Sequence, residues 1–305
     1  MSLFIRPQTI KTALICLCVL IFTACSAVRF VYNQGDTLVR WWMDDHIGFT
    51  AEQDSFAREF LERQFWWHRT EQLQDISASL EQIREKISRP MTVVEVNQFS
   101  DQFKKYAYSI ANKSTPDMAK LLISLQPNQI EAMQKRMQKG NEKFIKEWLP
   151  KEKEKQVKVR ADKVIERTEW LFGTLSKEQE QKIRAHVIAN PLDMNTVYQD
   201  RLRRQNELIM MAKEVQKKQL SQTQTEEMIK NYIKNFEFGN TPEERVFAKN
   251  RSDTGIKLAS FITEIMNDDQ RKYAKERVGT WVADVQELIK ESSVLAAKRS
   301  ALQNR

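Results

Sequence analysis

The sequence predicts an all-α protein, a multi-helix bundle or extended helical array of about eight to ten helices. Three observations carry that expectation. Apolar residues recur at steps of three and four along much of the chain, which places them on one helix face. No comparable run of strict apolar–polar alternation argues for strands. Proline and glycine fall at the joints of the periodic segments.

The first segment is read differently from the rest. Arg6 and Lys11 precede an uncharged apolar run over residues 13–22. That run is short for a permanent bilayer-spanning helix, which needs about 20 apolar residues, and suits the hydrophobic region of a removable signal. It ends in Phe22-Thr23-Ala24-Cys25. Small residues before a cysteine resemble the lipobox of bacterial lipoproteins, with Phe22 in place of the usual Leu, Val or Ile. The resemblance implies removal of residues 1–24, acylation of Cys25 and attachment to a membrane through that lipid. Cys16 and Cys18 would leave with the signal, so no intramolecular disulfide is expected. Ser26 follows the cysteine. In the families this resembles, Asp there favours the inner membrane, so Ser implies the outer membrane and a periplasm-facing chain. Residues 25–48 are then expected to be a lipidated N-terminus and aromatic linker, and residues 49–305 a helical domain.

Within that domain, Leu73, Ile76, Leu80, Ile83 and Ile87 form one apolar stripe. Val96, Phe99, Phe103, Tyr106 and Ile110 form a second, and Ala274, Val278, Trp281, Val285 and Leu288 a third. Pro90, Pro116, Pro127, Pro150, Pro191 and Pro242 are expected at helix ends or first turns. Gly173 and Gly239 stand where a helix C-terminus favours a positive φ. Gly140, Pro150 and dense charge mark residues 140–160 as an elbow or boundary.

Four places repeat one pattern, an apolar residue, a polar residue, two variable residues and Gln: Phe49 to Gln53, Leu125 to Gln129, Leu175 to Gln179 and Met266 to Gln270. Thr50, Ser176 and Asn267 are good N-caps, and a Gln three residues on completes a capping box. Gln126 is a poor cap, but Pro127 suits a first helical position. Thr241-Pro242-Glu243-Glu244 is a fifth start of this kind, with Glu as the returning residue. Their unequal spacing argues against a solenoid repeat. The pattern resembles the LTxxQ motif of Spy/CpxP-like periplasmic proteins, which are helical chaperones and stress regulators. Any helical protein needs caps, and simple capping is the favoured explanation.

A closer resemblance covers the start of the domain. Cys25, Tyr32-Asn33, Trp41-Trp42-Met43-Asp44-Asp45, Phe49-Thr50-x-x-Gln53 and Trp66-Trp67-His68-Arg69 are similar to the opening of a bacterial lipoprotein family with no assigned function. The resemblance implies a helical envelope lipoprotein and no reaction.

The chain is basic, with formal net charge +8, and residues 134–160 hold ten Lys/Arg against four Glu. The bland reading is a solvated helical hairpin, and the functional one is contact with anionic lipid or an acidic or unfolded client. Nucleic acid is not an expected partner for an envelope protein. Four of the seven Trp lie at 41, 42, 66 and 67 among several Phe, which suits an aromatic core or an apolar groove. His46, His68 and His186 show no metal-ligand spacing, and no GxSxG, HExxH or Walker sequence occurs. No cofactor, metal or enzymatic reaction is therefore expected. The expected role is non-enzymatic binding, chaperone-like or in envelope maintenance, with unfolded clients or envelope proteins as partners. The alternative is a scaffold that binds the cell wall or an envelope complex. The candidate binding surface comprises Phe65, Trp66 and Trp67 for apolar area, Lys151, Lys153, Lys155 and Lys158 for charge, and the Arg201 and Arg204 pair at i and i+3.

Overall fold

The computed structural model describes residues 27–303, so the expected signal segment and Cys25 lie outside the described residues. Those residues form eleven helices and no strand. In chain order they are α1 (Ala27–Asn33), α2 (Gly35–Ile47), α3 (residues 51–86), α4 (Val93–Ser124), α5 (Pro127–Trp148), α6 (Lys153–Phe172), α7 (Lys177–Ala189), α8 (Met194–Lys218), α9 (Gln222–Phe238), α10 (Pro242–Ile265) and α11 (Asp268–Gln303). Helix α3 is α-helical over Ala51–Trp67, loosens into a π turn at His68–Gln72, and resumes as Leu73–Lys86.

The helix starts follow the capping logic. Thr50, Ser176 and Asn267 each accept from the backbone N–H three residues on, and Gln53, Gln179 and Gln270 return a bond to the cap N–H. At α5 Gln129 accepts from the Gln126 backbone N–H, but the Gln126 side chain makes no cap bond, and Pro127 opens the helix. Thr241 and Glu244 form the full box at α10. Two further boxes went unread in the sequence, Thr92 with Glu95 at α4 and Ser221 with Gln224 at α9. Gly48, Gly173 and Gly239 close helices with φ of 72°, 82° and 71°, a region that a side chain disfavours.

Helices α1 and α2 fill most of residues 25–48, and Met43 and Ile47 there are buried in the core. One expectation needs correction. Pro116 does not end a helix but sits inside α4. Its ring leaves the Asn112 carbonyl without an N–H, yet Asn112 and Pro116 are both exposed, so water reaches the orphan. The hydroxyls of Ser114 and Thr115 donate back to the Ile110 and Ala111 carbonyls on the neighbouring turn.

Burial gathers in three clusters. One joins α2, α3, α4, α5, α8 and α9 around Phe60, Leu122, Leu125, Ile130 and Val215. A second joins the residues after α3 to α6, α7 and α11 around Ile165, Phe172, Ile183 and Val278. A smaller third packs Leu73, Leu80 and Tyr32 against Val285 and Leu288. It brings the last helix back along residues 73–86 and α1, where Arg29 pairs with Glu291 at 3.4 Å. A break between helices falls at residues 149–152, between α5 and α6, while Gly140 lies within α5. A Cβ on Gly140 would come within 3.2 Å of the Arg201 guanidinium, so the glycine marks close approach of α8.

Candidate functional site

The four glutamines of the repeated motif are not four separate caps. Gln53 meets Gln129, and Gln179 meets Gln270. In the first pair, Gln53 Nε2 donates to Gln129 Oε1 at 3.1 Å, and Gln129 Nε2 donates to Gln53 Oε1 at 2.7 Å. The second pair exchanges the same bonds at 2.7 and 3.0 Å. Each amide also reaches a backbone carbonyl just before the partner's helix. Gln53 donates to Ser124 and Gln129 to Gly48, while Gln179 donates to Ile265 and Gln270 to Thr174. All four side chains are buried. Each pair is thus a local two-fold clasp between two helix–helix corners. One clasp ties the α2–α3 corner to the α4–α5 corner, and the other ties α6–α7 to α10–α11. The signal was present in the sequence. An N3 Gln carries a donor beside its acceptor, which the Glu of an ordinary box lacks; Glu95 and Glu244 remain unclasped, and so does Gln224, so an N3 Gln permits a clasp without requiring one.

The clasps build the frame, and a cleft of about 500 Å³ opens between α1, α2 and α3. The π turn positions one wall. There the Tyr32 hydroxyl and His68 Nδ1 are hydrogen-bonded at 2.7 Å, Arg69 donates to Asn33, and the Arg69 guanidinium lies 5.2 Å over the Tyr32 ring. Phe65 meets the same ring edge-on, with centroids 5.7 Å apart. Burial pushes the Tyr32 hydroxyl up to about 12, against the lowering pull of Arg69. Burial also holds the His68 imidazole below its usual value. Both groups are therefore neutral at pH 7, and the pair works as a fixed strut. The rest of the lining is polar: Asp36, Glu59 and Glu62 supply acceptors, Asn33, Arg63 and Arg69 supply donors, and Trp66 adds a flat apolar face. Among the described residues Glu59 and Glu62 make no ion pair, whereas Arg63 is bound to Asp117 at 2.8 Å. This arrangement can hold a ligand that offers hydrogen-bond donors and one planar or apolar surface.

A profile describing a family of unknown function, DUF6279, matches residues 45–231. The chain belongs to that family. No curated protein and no solved structure matches it. The DUF6279 stretch takes in Trp66 to Arg69 and the whole first clasp. Tyr32, Asn33 and Gln270 lie outside it, so α1 and the end of the second clasp are added by flanking chain.

The structure separates the candidate surface residues. Phe65 packs against the first core, Trp66 lines the cleft, and Trp67 turns to the other side. The Trp67 indole N–H donates to Glu71 at 2.8 Å, and Lys113 sits 5.6 Å over its ring. Lys151, Lys153, Lys155 and Lys158 are all exposed at the start of α6, the solvated arrangement, with Lys155 paired to Glu152 at 3.2 Å. Arg201 and Arg204 do not form a free basic pair. Arg201 donates to Asn141 and lies over Phe144, while Arg204 binds Asp200 and lies over Phe236. Arg203 and Arg251 reach the same Asp200, so this cluster is a cross-brace between α8 and α10. The histidines stand apart from one another: His46 on the Trp42 ring, His68 in the π turn, and His186 stacked 4.2 Å from Phe261. Among the described residues no helix is long and apolar enough to cross a membrane.

Proposed function

We propose that the protein is a lipid-anchored bacterial envelope protein of non-enzymatic, binding type, held to a membrane through Cys25 and using the α1–α2–α3 cleft to hold one defined envelope partner. The observation that carries this reading is the meeting of Tyr32-Asn33 with His68-Arg69 across the cleft wall. Residues 36 positions apart are locked together by a hydrogen bond and an amide contact, and Arg69 adds a cation–π contact to Tyr32. The π turn supports it as well, because such bulges are often found at functional sites. A fixed polar cleft suits a scaffold that binds a cell-wall component or an envelope complex. The chaperone-like reading relied on one composite patch of aromatics and lysines. The aromatics stand on α3 and the lysines stand solvated at the start of α6, which favours the scaffold. Ser26 supports the outer membrane, facing the periplasm.

Photo-crosslinking from the cleft in intact envelopes tests the reading. A probe at Asp36, which lines the same cleft, should capture one stable partner, and Glu59→Arg with Glu62→Arg should abolish that capture without lowering the melting temperature. Broad capture of many denatured chains, unchanged in the double variant, would replace the scaffold with the chaperone.

A further inference from the structure

The first two helices carry an apolar face that the fold leaves open. Helix α2 buries Met43 and Ile47 against the first core. On its other side Leu38, Trp41 and Trp42 follow one another at helical spacing, and all three are exposed. Trp41 is 57% and Trp42 61% exposed, high values for the largest apolar side chain. Phe30 and Val31 on α1 are likewise exposed. Acidic and basic groups nearly balance over residues 27–47, with Arg29 and Arg40 against Asp36, Asp44 and Asp45, so the face is not an electrostatic one.

We propose that this face, formed by Phe30, Val31, Leu38, Trp41 and Trp42, docks on the lipid surface, so that α1 and α2 lie in the bilayer interface. The proposal rests on the lipid anchor at Cys25. Ala27 opens α1 two residues after that cysteine, and two extended residues reach only about 7 Å. Acyl chains on Cys25 would therefore hold the start of α1 at headgroup level. From there α2 can stand away from the membrane or lie along it, over about 20 Å of helix. An exposed stripe rich in Trp favours lying along it, because indole rings settle at the boundary between headgroups and hydrocarbon. The docked orientation leaves the cleft usable, since Tyr32, Asn33 and Asp36 project from the opposite side of these helices.

The test uses the full chain, purified from the membrane fraction and reconstituted in phosphatidylethanolamine and phosphatidylglycerol vesicles with brominated acyl chains. Mass measurement first establishes whether Cys25 is acylated. For the acylated chain, bromine should quench tryptophan emission, and Trp41→Ser with Trp42→Ser should remove most of that quenching while leaving the thermal melt unchanged. Leu38→Glu should weaken the quenching with both indoles in place. High salt should leave it unaltered. An acylated chain whose Trp41 and Trp42 are not quenched overturns the docking and leaves the anchor standing. A face that instead pairs two copies, seen as a dimer lost in the double variant, overturns it too. If Cys25 proves unacylated, the anchor reading fails, and the same chain added to preformed vesicles decides the docking by whether quenching occurs.

Discussion

At the scale of single residues, the buried glutamines carry the clearest energetic statement. Gln53→Leu would leave one Gln129 amide N–H without its partner in the core, a loss of about 1–3 kcal/mol. Gln129→Leu should cost a similar amount, and the double substitution less than the sum, because the second change removes the orphan left by the first. A double-mutant cycle by thermal melting checks this, and strict additivity would mean that the pair is not coupled. Tyr32 and His68 give a pH signature with a definite sign. The Tyr32 pKa is raised to about 12, so its stabilising share is complete below the unfolded value near 10 and is lost as pH climbs through 12. The His68 pKa is lowered, so its share is present above about 6.5 and is lost as pH falls through the folded value. Tyr32→Phe should flatten the alkaline limb of stability, and His68→Gln the acid contribution from this site, both read from melting temperature against pH. The Glu95 carboxyl, drawn well below the usual range by Arg89 and Lys86, belongs to the acid limb as well.

At the scale of elements, the helices were legible wherever a stripe faces a core. Leu73 to Ile87 and Ala274 to Leu288 proved to face each other's elements, with Leu73, Ile87, Ala274, Val278, Val285 and Leu288 buried. The stripe on α4 was less informative, since Phe103 remains 37% exposed and the deep burial lies further along, at Ala119 to Leu122. Pro116 misled because proline in an exposed turn is survivable when water takes the freed carbonyl, a circumstance that a linear sequence does not display. Pro116→Ala should therefore stabilise the protein, by up to about 3 kcal/mol if α4 regains an unbroken ladder. A melting temperature that fails to rise would show the proline bend to be needed for packing. Ser176→Ala should cost about 1 kcal/mol at the start of α7. The π turn was invisible in advance, because periodicity over Trp67 to Leu73 is too short to reveal one extra residue in a turn. With it went the position of the cleft. Its residues were individually singled out, as Tyr-Asn and Trp-His-Arg, but only the fold shows that they touch.

At the scale of the whole molecule, two predictions separate anchoring from architecture. Cys25→Ser should release the chain from the membrane fraction or leave it uncleaved, as read by fractionation and migration. A mutant that behaves as its parent would end the lipid-anchor reading. High salt should loosen the cross-brace around Asp200, where Arg203, Arg204 and Arg251 converge, more than either clasp. Hydrogen exchange should then rise first at the α8–α10 contact, and equal rises at both clasps would contradict that order. The difference has a wider consequence. A carboxamide neither gains nor loses a proton in ordinary water, and it holds no net charge for dissolved ions to shield. The corners fixed by Gln53–Gln129 and Gln179–Gln270 are thus indifferent to acidity and brine. They behave as welds, whereas the arginine brace behaves as a latch that dissolved ions can loosen.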